Sequence, residues 1–318
     1  MNAILTRHLT RQYNTTLAVN DLELQVPSGS LYGLIGPNGA GKTTTLRMLA
    51  GLLEPTSGEI RINELSIRQY WREIQWQIGY MPDFFGVYDD LLVWEYLDFY
   101  ARCYRLAPER RRRVVPELLE LVGLAEKRDA YVHTLSRGML QRLCLAHALV
   151  HEPQVLLLDE PASGLDPRAR VEMRELLREL SRMGKTILLS SHILTELAEL
   201  CDAVAIMERG RLVASGPVET LRRSASRGAA RRTLRLHTLA PVNQVEPLLR
   251  EFSTITDIFA EEAREDGARF EIEFNGDDSA AADLVDSLVA NGLRVVSLSE
   301  KISSLEEAFL NLTQGDVA

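Results

Sequence analysis

The stretch Gly36-Pro-Asn-Gly-Ala-Gly-Lys-Thr-Thr44 constrains this chain more than any other feature, because it matches the pattern G-x-x-x-x-G-K-[ST]. It follows an apolar segment, residues 31–35, and precedes a predicted helix at residues 42–50. Glycines let the backbone curl until successive N–H groups point into one anion-sized nest, and the helix adds its positive N-terminal end. Lys42 suits the terminal phosphates of a nucleotide, and the Thr43 hydroxyl suits Mg²⁺. The sequence therefore predicts a phosphate-binding loop between a strand and a helix.

Strand and helix signals alternate through the N-terminal part of the chain. Apolar strands are predicted at residues 154–158 and 185–190, and a helix is predicted at residues 166–183, which Asp166 can cap. Residues 90–133 carry helical signals only, so we predict a helical subdomain at about residues 90–150. Strands that alternate with helices are typical of a mainly parallel α/β sheet.

Beyond residue 217 the composition changes. We predict a linker at residues 219–230, followed by a small α+β domain at residues 231–318. The arginine-rich stretch at this boundary suits a solvated linker or, as the alternative, a surface for a partner or an anionic lipid. In a predicted last helix at residues 304–312, Leu305, Phe309 and Leu312 fall on one face.

Charge and composition exclude several classes of protein. With 45 acidic and 36 basic residues the net charge is −9, which argues against a broad nucleic-acid-binding surface. The three cysteines have no C-x-x-C spacing, so we expect no disulfide framework and a reducing compartment. No apolar run approaches the ~20 residues that a membrane-spanning helix needs, and the N-terminus lacks the apolar core of a signal peptide. We therefore expect a soluble, cytosolic chain.

Two carboxylates, Asp159 and Glu160, end an apolar strand that begins near Val155. Side chains alternate in direction along a strand, so the two carboxylates can serve different purposes. Asp159 suits a Mg²⁺ shell, and Glu160 suits the polarisation of an attacking water. A capping or ion-paired role is the alternative for either residue.

A second candidate phosphate receptor lies at residues 135–139, where Ser136 and Gly138 precede a helix predicted at residues 140–150. One nucleotide does not need two such receptors from a single chain. A second molecule could therefore supply this one.

In order and spacing, these motifs resemble those of the ATP-binding subunits of ABC transporters, and the resemblance covers about residues 3–218. The counterparts are the Walker A loop at Gly36–Thr44, the Walker B aspartate and catalytic glutamate at Asp159 and Glu160, the L-S-G-G-Q signature at residues 135–139, the D-loop at residues 163–166, the switch histidine at His192 and the adenine-stacking aromatic at Tyr13.

The resemblance implies a P-loop NTPase core of the ABC type, with a helical subdomain, that binds ATP and Mg²⁺. The ATP-binding residues would be Tyr13, Gly36, Pro37, Asn38, Gly39, Ala40, Gly41, Lys42, Thr43, Thr44 and Asp166, together with Ser136 and Gly138 of a second chain. The metal ligands would be Thr43, Asp83 and Asp159, and the catalytic residues Glu160 and His192. The implied partners are a separate transmembrane permease and a second ATPase subunit, without nucleic acid; a homodimer is favoured, with a heterodimer as the alternative. The implied location is the inner face of the cell membrane.

Two departures from the family pattern stand out. The signature has Arg137 for its first glycine and Met139 for its glutamine, although Ser136 and Gly138 are kept. Asp83 stands where the family usually has glutamine, which adds a charge and removes an amide donor. We therefore expect the rate or coupling of hydrolysis to differ from the family norm.

The ending of the chain, residues 304–313, resembles that of ABC-2-type ATPase subunits and favours an exporter. A soluble ABC ATPase acting on chromosomes, ribosomes or cluster assembly is the alternative. The short helical insertion and the single core argue against it. A P-loop kinase would leave the signature and His192 unexplained.

Overall fold

The computed structural model describes residues 1–221, 232–261 and 267–300, apart from residues 85, 87 and 89. The chain divides into two compact units, Met1–Val218 and Glu219–Ala318. Most of the predicted linker, and the predicted last helix with Leu305, Phe309 and Leu312, lie outside the described residues.

The elements of the N-terminal unit are as follows. The strands are β1 (Asn2–Tyr13), β2 (Thr16–Leu22), β3 (Gln25–Pro27), β4 (Leu31–Ile35), β5 (Ser57–Ile62), β6 (Leu65–Ser66), β7 (Ile78–Met81), β8 (Val155–Asp159), β9 (Thr186–Ser191), β10 (Ala203–Glu208) and β11 (Arg211–Pro217). The α-helices are α1 (Lys42–Leu49), α2 (Trp71–Ile74), α3 (Val93–Cys103), α4 (Pro108–Leu121), α5 (Arg137–Leu149), α6 (Pro167–Arg182) and α7 (Leu194–Leu200).

A six-stranded sheet forms the centre of this unit, in the order β11-β10-β4-β9-β8-β7. The strands from β10 to β7 are parallel, and β11 pairs antiparallel with β10. Every residue of β4, β8 and β9 is buried, which explains their continuous apolar runs. Because parallel strands end at the same edge, the segments after β4, β9, β8 and β7 emerge side by side there.

A second, antiparallel sheet in the order β2-β1-β5-β6, with β3 paired to β1, was not predicted. The mainly parallel arrangement is therefore confirmed only for the central sheet. Leu9 and Val26 of the second sheet share a core cluster with Leu46 and Met48 of α1. Val19 of β2 belongs to the same cluster, so β2 also packs beside α1.

The helical subdomain consists of α3, α4 and α5, as the absence of strand signals predicted. The apolar stripe of α4 at Val114, Val115, Leu118 and Leu119 is buried, whereas its arginines face carboxylates. An isolated β-bridge joins Leu92 to Tyr131 at the base of the subdomain. No helix among the described residues is both long and apolar enough to cross a bilayer.

The C-terminal unit contains β12 (Arg232–Thr238), α8 (Val242–Leu249), β13 (Ile255–Glu261), β14 (Ala268–Phe274), α9 (Asp278–Ala290) and β15 (Val295–Glu300). Its antiparallel sheet has the order β13-β14-β12-β15, which gives the β-α-β-β-α-β arrangement of ferredoxin-like domains. The core is apolar and includes Leu236, Phe270 and Leu284. The α+β class is confirmed, but the prediction missed β13, which carries polar residues within its short apolar pattern.

Candidate nucleotide-binding site

The loop between β4 and α1 is folded too tightly for side chains at two of its glycines. Gly41 has φ +103°, and a Cβ atom there would lie 2.5 Å from the carbonyl oxygen of Ala18 in β2. A Cβ atom at Gly36 would lie 2.8 Å from that of Ala40. No side chain caps α1, so its first backbone N–H groups are available to an anion.

Lys42, the first residue of α1, lies buried beneath this loop. Its ammonium group donates a hydrogen bond to the carbonyl oxygen of Gly36 at 2.7 Å and lies 3.6 Å from Oε1 of Glu160. Burial lowers the pKa of Lys42 below its ordinary value, while the carboxylates of Glu160, Asp159 and Asp83 oppose that shift. The structure therefore brings four of the predicted site residues into one electrostatic neighbourhood.

Asp159 ends β8 and is 1% exposed. Its Oδ1 atom accepts a 2.6 Å hydrogen bond from Oγ of Ser190 in β9, the residue that faces Asp159 in the strand register. Its Oδ2 atom is buried and makes no hydrogen bond to any residue that the structure describes. An unsatisfied buried carboxylate oxygen is costly, and it is the kind of ligand that Mg²⁺ prefers. The buried Oδ2 atom of Asp159 therefore fits the metal-ligand role that the sequence predicts for this residue.

Glu160 adopts φ +49°, a left-handed conformation that is uncommon outside glycine. Its backbone N–H donates to Oγ of Ser190 at 3.0 Å, and its Oε2 atom lies 2.9 Å from Nδ1 of His192. The carboxylate thus lies between the ammonium group of Lys42 and the imidazole of His192. Strained backbones of this kind cluster at functional sites, where the surrounding contacts hold them.

Ser190 is a site residue that sequence reasoning missed. Its hydroxyl contacts both Asp159 and Glu160, so it links the two carboxylates that end β8. The available signal was the polar run Ser190-Ser191-His192 after the apolar part of a strand. The register of β8 against β9 was needed to reveal the contact.

The remaining residues of the loop region are placed as follows. Pro37, Asn38, Gly39 and Ala40 form the turn of the loop, and Thr43 and Thr44 are half-buried on the first turn of α1. Asp83 follows β7 and is exposed. Tyr13 ends β1, is 39% exposed and has the guanidinium of Arg11 over its ring at 4.6 Å. Tyr13 belongs to the same hairpin as Ala18, whose carbonyl approaches Gly41.

Asp166 is explained by helix capping. Its side chain accepts a 2.9 Å hydrogen bond from the backbone N–H of Ala169 at the N-terminus of α6. The predicted cap is therefore present. The role in ATP binding that the resemblance implies for Asp166 stays a prediction.

Ser136 and Gly138 lie at the start of α5, which begins at Arg137 rather than at the predicted residue 140. The Ser136 hydroxyl is exposed and caps the helix by accepting from the N–H of Met139 at 3.3 Å. Gly138 is buried, and a Cβ atom there would lie 2.9 Å from that of Ala169. Because Gly138 has no side chain, α5 can pack closely against α6 at this point. The group that Gly138 can offer to a ligand is its backbone N–H.

Comparison with known proteins gives consistent results. Residues 19–163 match the family model described as "ABC transporter". The Nod factor export ATP-binding protein I of Burkholderia orbicola is 43% identical over 215 residues, which cover 68% of this chain and 71% of that protein. An uncharacterized ABC transporter ATP-binding protein of Synechocystis sp. is 38% identical over 224 residues, which cover 68% of this chain and 63% of that protein.

Two solved structures extend this similarity to the fold. The structure of an ATP-binding subunit of an ABC transporter has a TM-score of 0.63 and 32% identity, covering 70% of this chain and 92% of that chain. The structure of cbiO1 from Clostridium perfringens, part of an ABC transporter complex, has a TM-score of 0.63 and 27% identity, covering 72% of this chain and 96% of that chain.

Proposed function

Because this chain belongs to the family of ABC transporter ATP-binding proteins, which are ATPases that power transport, we propose that it powers a membrane exporter of the ABC-2 type. Two copies of the chain would act on a separate transmembrane permease from the cytoplasmic side. The observation that carries the proposed mechanism is the position of the Glu160 carboxylate, between Lys42 and His192 and beside the glycine-rich loop. The export direction is supported by relatives named as export ATP-binding proteins.

Different residues of the chain bind different parts of ATP. The N–H groups of the loop at Gly36–Thr44 and the N-terminus of α1 hold the phosphates of ATP, and the ammonium group of Lys42 offsets their charge. Tyr13 stacks on the adenine. Thr43, Asp83 and Asp159 would hold Mg²⁺, which supplies further positive charge to the phosphates when bound.

Hydrolysis then requires a base beside the terminal phosphate. In the proposed step, a water oxygen bonds to the γ-phosphorus, the bond from that phosphorus to the β–γ bridging oxygen breaks, and ADP leaves. Glu160 takes the proton that the water loses. His192 contacts Glu160 through Nδ1, and its imidazole is placed in this proposal beside the γ-phosphate.

Ser136 supports the use of a second copy. Its hydroxyl is exposed at a helix N-terminus, and its hydrogen-bond partner is Met139 of the same helix rather than the loop that precedes α1. With the backbone N–H of Gly138, it forms a phosphate receptor for the nucleotide of the other chain. Each site would then be complete only in the dimer.

The test is dimerisation of the full chain carrying Glu160→Gln, which keeps ATP bound. With saturating ATP and Mg²⁺, we expect light scattering to show a dimer, and ADP to leave a monomer. The same chain with Lys42→Ala added is the control and should stay monomeric with ATP. A Glu160→Gln chain that remains monomeric with ATP, even when its permease is present, contradicts the shared site.

A further inference from the structure

The segment between Glu160 and α6, residues 161–166, is tied to Glu160 and to α5 by a short chain of hydrogen bonds. The backbone N–H of Ser163 donates to the carbonyl oxygen of Glu160 at 3.0 Å. The carbonyl oxygen of Ser163 accepts a 2.9 Å hydrogen bond from Nε2 of Gln141 in α5. One side chain of α5 is therefore two hydrogen bonds away from the backbone of Glu160.

The contact between Gln141 and Ser163 lowers the stability of the fold, because it leaves part of the Gln141 amide without a hydrogen bond within the described part of the chain. Gln141 is 3% exposed, and its Oε1 atom is buried without a hydrogen-bond partner among the residues that the structure describes. A buried, unsatisfied carbonyl lowers the stability of the fold. An apolar side chain of the same size would avoid that cost but could not donate to Ser163. The single hydrogen bond from Nε2 is thus the feature that an amide supplies here.

Arg137, an exposed residue of α5, packs against the same segment. A Cβ atom at Gly164 would lie 2.6 Å from each terminal guanidinium nitrogen of Arg137. The guanidinium therefore covers Gly164, which has φ +68° and suits glycine for that reason as well. Among the described residues, Arg137 has no carboxylate partner, whereas four arginines farther along α5 and α6 are ion-paired: Arg142, Arg168, Arg170 and Arg174.

We propose that Arg137 and Gln141 are positioning residues for Glu160. Both side chains extend from α5 and restrain residues 163 and 164, and we call these two contacts the clamp. The hydrogen bond between Ser163 and Glu160 passes that restraint on to Glu160, which lies beside Lys42 and His192. Neither side chain touches the nucleotide in this proposal, so the clamp governs the chemical step and not ATP binding. The inference depends on the role that the proposed function gives to Glu160.

The experiment compares steady-state ATP hydrolysis by full-length Gln141→Met, Arg137→Met and the double variant. We expect kcat to fall about ten-fold in Gln141→Met and about five-fold in Arg137→Met, with KM for ATP within two-fold of the native value. Because both side chains act on one segment, the double variant should lose less than the product of the two single losses. Arg168→Met is the matched control, since Arg168 is 91% exposed on the first turn of α6 and pairs only with Glu172 among the described residues; its kcat should equal that of the native chain.

The outcomes separate this inference from the function on which it depends. Native kcat in both single variants, or a raised KM with native kcat, overturns the clamp. Arg137→Met keeps the test decisive if Gln141→Met does not fold, since Arg137 is exposed. Glu160→Gln is measured in parallel. If it turns over at the native rate, the proposed function fails first; if it is inactive while both clamp variants are native, only the clamp is wrong.

Discussion

Nδ1 of His192 lies 2.9 Å from Oε2 of Glu160, although the two residues are 32 positions apart in the chain. They meet because β8 and β9 are parallel neighbours, so the segments that follow them leave the same edge of the sheet. The other carboxylate oxygen of Glu160 faces Lys42, which follows β4 on the far side of β9. Three adjacent parallel strands thus deliver one carboxylate, one imidazole and one ammonium group to a single place.

Removing Lys42 and neutralising Glu160 should have different effects. We expect Lys42→Ala to lose tight ATP binding, because the phosphates lose their closest buried positive charge. Glu160→Gln should bind ATP within about three-fold of the native chain but hydrolyse it about 10²–10⁴-fold more slowly, the range for loss of a general base. Fluorescent-nucleotide titration and phosphate release measure the two quantities. Turnover near native in Glu160→Gln would refute its role as the base.

Ser190→Ala should lower kcat about ten-fold while ATP binding changes little. The hydroxyl donates to Asp159 and accepts from the N–H of Glu160, and its loss leaves both groups with an unmet hydrogen bond. We also expect the free energy of unfolding to fall by about 1–3 kcal/mol. Ser181→Ala, on the last turn of α6, is the control and should match the native chain. Native kcat in Ser190→Ala would show that Ser190 does not position Glu160.

His147 should make the N-terminal unit less stable in acid. Its ring stacks on Tyr100, with centroids 3.6 Å apart, and burial lowers the pKa of His147 to about 4, with a smaller contribution from His151. Below about pH 6.5 the unfolded chain therefore binds a proton that the folded chain does not, so the free energy of unfolding falls as the pH drops from about 6.5 to about 4. The contribution of His147 to that fall is on the order of 3 kcal/mol.

Urea unfolding at several pH values measures this effect. The variant His147→Gln cannot take up the proton, so its free energy of unfolding should fall less steeply between about pH 6.5 and about pH 4. An unchanged slope in His147→Gln would mean that His147 takes up its proton as readily in the folded chain as in the unfolded chain.

A chain ending at Val218 should fold and bind ATP within about three-fold of the full chain. All residues assigned to the nucleotide and to hydrolysis lie in the unit Met1–Val218. We expect the loss of the C-terminal unit to weaken ATP-driven dimerisation or to alter coupling to the permease. Circular dichroism and nucleotide titration check the first expectation, and light scattering checks the second. A shortened chain that is folded but does not bind ATP would refute this division of labour.

Local patterns were enough to predict much of this fold. The glycine-rich loop needs positive φ at Gly41, so its residue types almost dictate its shape. The parallel strands β4, β8 and β9 are recognisable from apolar runs, and α6 from its cap at Asp166. Because these signals act over a few neighbouring residues, the sequence by itself determined the phosphate loop, the alternation of strands and helices, and the α+β class of the second unit.

The contacts between distant residues were decided only by the tertiary structure. The edge strand β13 and the antiparallel sheet built on β1 gain their stability from pairing partners rather than from local pattern. The same holds for Ser190 beside Asp159 and for Arg137 over Gly164, which depend on strand register and on the packing of α5 against the segment before α6. The physical reason is that register and packing depend on the whole core at once, whereas a sequence pattern reports only the preference of one segment.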